Sequence, residues 1–158
     1  MAFGRIDRAA VQGAYAQMVN LETYIHGTGL ERSLLELVKI RASQINGCAF
    51  CLSMHTRDAL KAGERQDRLA VLPAWRETDW FTARERAALA WGEAVTKLDH
   101  RAVPDDVFEQ ARTEFSEQEL ADLTLAVVAI NGWNRFNVAF HGEPDAFDVD
   151  TGEQAAAD

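Results

Sequence analysis

The sequence contains only two cysteines and three prolines, and it has neither a long apolar run nor an excess of basic residues. Its longest strongly apolar stretch, residues 123–130, is far shorter than the roughly 20 residues that a membrane-spanning helix needs. With 16 basic against 25 acidic residues, no basic surface is available to follow a phosphate backbone. We therefore expect neither a membrane nor a nucleic acid as a partner.

The N-terminal segment MAFGRIDRAAV has no apolar core and no small-residue cleavage pattern of the kind found in secretion signals. We therefore expect a cytoplasmic protein. In a reducing compartment two cysteines are more often catalytic or metal-binding than permanently cross-linked. A structural disulfide is thus the least favoured role for this pair.

The acidic residues are concentrated at the C-terminal end. Residues 143–158 hold six of the 25 acidic residues and no lysine or arginine, so the rest of the chain is nearly balanced in charge. Because this segment is also poor in aliphatic residues, we expect it to be solvated and partly disordered. The chain is accordingly divided into one domain, residues 1–142, and an acidic tail, residues 143–158.

Helix start signals recur along the chain, whereas the alternating pattern of strands is almost absent. Capping boxes are predicted for three pairs of residues: Thr28 with Glu31, Thr82 with Glu85, and Ser116 with Glu119. Helices are expected at about residues 5–25, 30–45, 49–62, 65–71, 82–98, 104–114 and 117–140. The predicted fold is all-α, a single-domain bundle of about six to seven helices with the apolar last helix at its centre.

Both cysteines lie in the stretch INGCAFCLSMH, residues 45–55. Cys48, Cys51 and His55 are spaced i, i+3 and i+7, which places them on one face of a helix. Near the first turn of a helix, unpaired N–H groups favour a thiolate and lower the pKa of a cysteine from about 8.5. His55, one turn beyond Cys51, is placed to act as a base or as a cationic partner of that sulfur.

A carboxylate lies inside the preceding apolar segment, SLLELVKI. Glu36 precedes the first cysteine by twelve residues, and a turn at residues 46–47 would fold the two segments side by side. One interpretation is that Glu36 orients His55 and completes a set of acid, base and nucleophile. The other is that Glu36 is a surface residue paired with Arg32 or Lys39. The spacing leaves both interpretations open.

The pattern of Glu36, eleven residues, Cys48-x-x-Cys51, three residues and His55 resembles the AhpD-like alkylhydroperoxidase group of the carboxymuconolactone decarboxylase family. The stretches LLELVKIRASQINGCAFCLSMHTRDALKAGE, ALAWGEAVTKL and LTLAVVAINGWNRFNVAF are also similar to helices of that family, and they cover most of residues 30–140. The resemblance implies an AhpD-like helical fold. It further implies that Cys51 attacks a peroxide, that the more accessible Cys48 resolves the sulfenic acid, and that Glu36 and His55 form a proton relay.

The same resemblance implies a thiol-dependent peroxidase that reduces hydrogen peroxide or organic hydroperoxides. Such a protein is recycled by an external dithiol or a thiol protein. No metal, flavin or haem cofactor is implied, and a homo-oligomer, trimeric or hexameric, is expected. Phe50 departs from the pattern, because some members carry a second histidine at this position. The relay is then shorter, and the activity is weaker or directed at another oxidant.

Two other functions stay open. One is a lyase of the wider family acting on a lactone-type substrate, although that branch generally lacks the two-cysteine motif. The other is a non-enzymatic metal-binding or interaction protein, in which the two thiols, His55 and Glu36 act as ligands. Structural zinc sites usually combine two chelating pairs, and the sequence offers no second pair.

Polar residues interrupt the apolar last helix: Asn131, Trp133, Asn134 and Arg135. Buried amides and guanidinium groups need hydrogen-bond partners. We expect these residues to make structural hydrogen bonds or a subunit contact rather than to line the active site. His26 and His141 are expected to lie at helix ends, where a cation is favourable.

Overall fold

The computed structural model describes residues 4–99 and 102–144. In this part of the chain seven α-helices and one 3-10 helix form, and no β-strand occurs. They are α1 (Arg8–His26), α2 (Arg32–Asn46), α3 (Ala49–Lys61), α4 (Gln66–Val71), the 3-10 helix (Leu72–Glu77), α5 (Ala83–Lys97), α6 (Asp105–Glu114) and α7 (Glu117–Phe140). The prediction of an all-α fold is confirmed. Most of the predicted acidic tail, residues 145–158, lies outside the described residues.

The helices begin largely where the sequence predicts. Two of the three expected capping boxes form, Thr82 with Glu85 and Ser116 with Glu119. In each box the hydroxyl accepts a hydrogen bond from a backbone N–H, and the carboxylate accepts one from the N–H of the cap residue. These reciprocal bonds satisfy donors that the first turns of α5 and α7 leave without a helical partner.

The third predicted box, of Thr28 with Glu31, is wrong. Glu31 precedes α2 but makes no side-chain capping hydrogen bond. The Thr28 hydroxyl donates instead to the Ile25 carbonyl at 2.7 Å. That carbonyl belongs to the last turn of α1, so Thr28 closes α1 rather than opening α2.

The central helix of the bundle is α7, as predicted. Its fully buried apolar residues are Leu123, Ala126, Val127, Ala129 and Ile130. The helix packs against α1, α2, α3, α5 and α6, and burial of its apolar surface stabilises the fold by about 25 cal/mol per Å². No helix of the described residues combines the length and apolarity of a membrane span.

The turn between α2 and α3 depends on Gly47. Its φ of 65° and ψ of 34° lie in the left-handed region, which glycine adopts without a Cβ clash. The Cys48 N–H donates to the Ser43 carbonyl and closes α2, and α3 begins at the next residue. The turn folds α3 back along α2, as the sequence predicted, so the cysteines lie beside the helix that carries Glu36.

The N-terminal segment holds the end of α7. The Gly4 N–H donates to the His141 carbonyl at 3.1 Å. His141 ends α7 in the left-handed conformation, with φ of 53°, which confirms its expected place at a helix end. The following Gly142 donates its N–H to the Asn137 carbonyl at 2.8 Å. These contacts hold the turn after α7, which lines a hollow together with the first turn of α3.

Candidate active site

The two thiols lie at the N-terminus of α3, as predicted. Cys48 is the N-cap residue, and its sulfur accepts a hydrogen bond from the Cys51 N–H at 3.3 Å. The two sulfurs are 2.6 Å apart, and both thiols are free. The implied greater accessibility of Cys48 is wrong, because each cysteine is only 1% exposed. The two thiols belong to one buried apolar cluster with Ala42 of α2, Phe50 of α3 and Ile130 of α7.

Glu36 reaches across from α2 to α3. Its Oε2 lies 2.8 Å from His55 Nδ1, and both side chains are buried. Of the alternative partners, Lys39 instead pairs with Glu22, with Nζ 2.6 Å from Oε2. The contact between Glu36 and His55 is therefore the one that forms, and the surface interpretation of Glu36 is excluded.

Glu36 is held in its ionised form. Burial alone raises the pKa of this carboxyl, but the hydrogen bond and charge of His55, together with the charges of Lys39 and Arg32, lower the pKa below its ordinary value. The carboxylate then accepts the Nδ1–H of His55. This bond fixes the orientation of the imidazole and assigns Nε2 as the atom that can exchange a proton with a substrate.

Cys51 and His55 line one cavity of about 230 Å³. Aromatic and apolar walls come from Tyr15, Phe50, Met54 and Trp133. Charged and titratable groups also line it: Glu22, His26, Arg32, Glu36, Lys39 and Asp58. Within residues 4–99 and 102–144, His55 makes no hydrogen bond to either sulfur. The imidazole and Cys51 are thus brought together by the shared cavity.

Trp133 corrects the expectation that the polar group of α7 stays away from the site. Its ring lines the cavity of Cys51, and its Nε1 donates to Glu22 Oε1 at 3.1 Å. The other oxygen of Glu22 binds the buried Lys39. No local sequence pattern indicates this cluster, because its members lie on α1, α2 and α7.

Cys48 does not line the cavity of Cys51. It lines a second hollow of about 370 Å³ between the first turn of α3 and the end of α7. Phe50 and Asn137 line both the hollow and the cavity of Cys51. Two sulfurs in contact with each other are therefore approached from different sides, with Phe50 between the two openings.

Two amides of α7 lie against the thiols. Asn134 Nδ2 donates to Ser43 Oγ at 3.0 Å and its Oδ1 accepts from Asn46 at 2.8 Å, so its expected structural role is confirmed. Hydrogen bonding from Asn134 also favours the ionised form of both thiols. Asn137, which the sequence analysis missed, places Nδ2 at 3.6 Å from Cys51 Sγ. Asn137 lies three residues after Asn134 in a largely apolar helix, and this spacing is the sequence feature that could have indicated that both amides share a buried face.

The contact between the two sulfurs and the N-cap position of Cys48 together favour ionisation of Cys48 before Cys51. A hydrogen bond from the Cys51 side chain and backbone N–H groups of α3 outweigh burial and lower the pKa of Cys48 to about 7. The hydrogen bond to Cys48, burial and the charge of Cys48 raise the pKa of Cys51. The pair titrates as a unit, and its first proton leaves mainly from Cys48.

Alkylation of the reduced protein by iodoacetamide should follow this order. Because the thiolate is the reactive form, we expect the rate to rise with pH through a midpoint near 7, with the label mainly on Cys48. Rates measured from about pH 5 to about pH 9, with peptide mass spectrometry to locate the label, test this. A midpoint at or above the ordinary value of about 8.5 would contradict it.

No group of three or more histidine, cysteine or acidic side chains capable of holding a metal ion occurs among the described residues. The side chains that a zinc site would use are engaged with one another. Cys48 contacts Cys51, and His55 contacts Glu36. The metal-binding alternative draws no support from this arrangement.

The fold and the site define a helical protein with a buried dithiol beside a histidine–carboxylate pair. Residues 9–94, more than half of the chain, match the model of the carboxymuconolactone decarboxylase family. The chain is also 42% identical over 122 residues to the uncharacterized protein YdfG of Bacillus subtilis, an alignment covering 77% of this chain and 83% of that protein. The chain belongs to the carboxymuconolactone decarboxylase family.

Solved structures place it in the AhpD-like group. A protein of unknown function from Agrobacterium tumefaciens, suggested to be the antioxidant defence protein AhpD, has a TM-score of 0.86 and 40% identity, covering 90% of this chain and 99% of that one. The AhpD core of an uncharacterized peroxidase-related protein from Ralstonia eutropha has a TM-score of 0.76 at 17% identity, covering 87% of this chain and 73% of that one, and shows the fold alone. Family and fold together support a peroxidase-related or a decarboxylase-like function.

Proposed function

We propose that this protein is a thiol-dependent peroxidase that reduces hydrogen peroxide or organic hydroperoxides through a Cys48–Cys51 dithiol/disulfide cycle. The observation that carries the proposal is the contact of two thiols at a helix N-terminus, where one thiol shares a cavity with a histidine–carboxylate pair. A buried dithiol beside a proton donor and acceptor suits a reaction that transfers two electrons and two protons.

In the first step Cys51 attacks the peroxide, because this thiol shares its cavity with His55. The Cys48 thiolate, 2.6 Å away, takes the proton of Cys51 as the Cys51 sulfur bonds to the terminal peroxide oxygen. The O–O bond breaks and leaves a sulfenic acid on Cys51. The departing alkoxide receives the Nε2 proton of the His55 imidazolium, whose ring Glu36 orients through Nδ1.

In the second step Cys48 attacks the sulfenic acid of Cys51. An S–S bond forms and the S–O bond breaks. The proton that Cys48 took up in the first step passes to the departing hydroxide, which leaves as water. An external dithiol or thiol protein then restores both thiols by exchange and becomes a disulfide itself. The hollow lined by Cys48 offers this reductant a route that does not pass through the peroxide cavity.

The cavity itself favours an organic hydroperoxide. Tyr15, Phe50, Met54 and Trp133 provide apolar contact for a carbon skeleton. Phe50 stands where some family members have a second histidine, so proton transfer in this cavity is assigned to His55. A cytoplasmic homo-oligomer, trimeric or hexameric, remains the expected form of the protein.

A thiol count under peroxide tests the proposal. We expect two thiols per chain after dithiothreitol, and rapid loss of both after one equivalent of tert-butyl hydroperoxide, because each peroxide oxidises one dithiol. The count is made with a chromogenic disulfide reagent in denaturant. A decarboxylase-like function, which the family also supports, predicts that both thiols survive the peroxide, and that result would remove the peroxidase proposal.

A further inference from the structure

We propose that Asn137 is a further catalytic residue, whose amide N–H stabilises the negative charge on Cys51 during attack, and that Gly142 holds this amide in place. The inference rests on the proposed function for the identity of the attacking sulfur. It assigns a role to a residue on α7 that shares no motif with the cysteines.

The amide of Asn137 is buried and directed at the reacting sulfur. The side chain is 3% exposed. Its Nδ2 donates to Cys51 Sγ at 3.6 Å and to the Trp133 carbonyl at 2.9 Å. Its Oδ1 has no hydrogen-bond partner among the described residues. A buried amide oxygen without a partner is costly, so packing alone would favour an apolar residue at this position.

Gly142 packs directly against the Asn137 amide. A Cβ at residue 142 would lie 2.2 Å from Asn137 Oδ1 and 3.1 Å from Asn137 Cγ. The Gly142 N–H donates to the Asn137 carbonyl at 2.8 Å, and the neighbouring His141 carbonyl accepts from Gly4. The turn after α7 is therefore packed directly on the amide, and only glycine leaves room for it.

The direction of the charge movement explains why a donor is needed at Cys51. The negative charge begins on Cys48, where it is stabilised by hydrogen bonds that include backbone N–H groups of α3. It moves to Cys51 as this sulfur loses its proton. The amides of Asn137 and Asn134 both favour the ionised form of Cys51. A donor already fixed against the sulfur needs no rearrangement when the charge arrives.

The charged and titratable groups that line the cavity of Cys51 stay constant in the test. They are Tyr15, Glu22 and His26 of α1, Arg32, Glu36 and Lys39 of α2, and His55 and Asp58 of α3. The test therefore changes only the amide of Asn137 or Gly142 in the turn after α7, and it keeps every ionisable group that lines the cavity.

The experiment uses the Cys48→Ser protein, in which Cys51 is the one remaining thiol of the sequence. Asn137→Leu removes the donor at similar size, and Asn137→Asp keeps the shape but places a negative charge beside the sulfur. We expect the pH midpoint of iodoacetamide labelling to rise by about one unit in Asn137→Leu, so that labelling near neutral pH slows about tenfold. Asn137→Asp should slow it further.

Matched controls separate this role from a general loss of structure. Asn20→Leu changes an exposed asparagine of α1 whose amide donates to Gln17, and it should leave the labelling profile unchanged. Gly142→Ala touches no sulfur but displaces the amide, and it should shift the midpoint in the same direction as Asn137→Leu. Gly13→Ala, where the added Cβ meets nothing within 4 Å, should leave the midpoint of labelling unchanged.

Circular dichroism checks the fold of each variant. If Asn137→Leu does not fold, the labelling profile of the isosteric Asn137→Asp tests the proposal instead. The proposal is overturned if folded Asn137 variants and Gly142→Ala keep the labelling profile of the parent. Labelling involves no peroxide. Failure of the proposed function, seen as wild-type thiols that survive peroxide, is therefore distinguishable from failure of this inference.

Discussion

Replacing Cys51 by serine should abolish peroxide-dependent oxidation, whereas replacing Cys48 by serine should stop the cycle after its first step. A serine hydroxyl does not ionise under conditions where a thiol does, so Cys51→Ser loses the attacking nucleophile. Cys48→Ser keeps that nucleophile, which attacks more slowly because the thiolate that takes its proton is gone, and it lacks the thiol that resolves the sulfenic acid. We expect a dimedone adduct on Cys51 in Cys48→Ser and none in Cys51→Ser, measured by peptide mass spectrometry after one equivalent of hydroperoxide.

The pKa values of the two thiols and the position of the cavity favour different attacking thiols, so the experiment distinguishes between them. Because the pKa of Cys48 is lowered to about 7 while that of Cys51 is raised, charge alone favours Cys48 as the nucleophile. The cavity shared with His55 favours Cys51. A dimedone adduct on Cys48 in Cys51→Ser, with none on Cys51 in Cys48→Ser, would reverse the assigned order of the two thiols.

Glu36→Gln should lower the rate of peroxide-dependent disulfide formation at neutral pH by about 100-fold, a typical contribution of a positioned acid or base. The substitution keeps the size of the side chain but removes the carboxylate that accepts from His55 Nδ1 and orients the imidazole. Glu109→Gln is the matched control, since Glu109 is exposed and pairs with Arg112 at 3.2 Å. An unchanged rate in Glu36→Gln would remove Glu36 from the mechanism.

The same variant has a defined effect on stability. The pKa of Glu36 is lower in the folded protein than its ordinary value, so ionised Glu36 stabilises the fold above the ordinary carboxyl range. This contribution is lost as the pH falls through the lowered pKa. Urea unfolding should therefore show the largest difference between wild type and Glu36→Gln near neutral pH, and the difference should shrink in acid.

The fold was predictable because its signals are local. Capping boxes at Thr82 and Ser116 each involve residues within one turn, and the apolar composition of α7 already indicated a helix buried on several sides. The prediction for Thr28 was wrong because its hydroxyl can bond either to the first turn of α2 or to the last turn of α1. In the structure it bonds to the last turn of α1. Such a choice depends on how α1 and α2 meet, which a local pattern does not contain.

The site was predictable only in part, for the same reason. The contact of Cys48 with Cys51 follows from spacing within one helix, and the contact of Glu36 with His55 needed only the short turn at Gly47. The amide of Asn137 reaches Cys51 across 86 residues of sequence. The burial of both thiols also depends on packing between helices. The greater exposure predicted for Cys48 was wrong because a local pattern does not contain this packing.

The two openings that meet at the cysteine pair have a kinetic consequence for the proposed cycle. In an ordinary double-displacement enzyme both substrates occupy the same site, so an excess of one competes with the other. Here Cys51 lines the cavity and Cys48 lines the hollow on the far side of Phe50. The oxidant and the reductant would then reach the cysteine pair by separate routes. A high concentration of peroxide would not by itself inhibit regeneration of the dithiol.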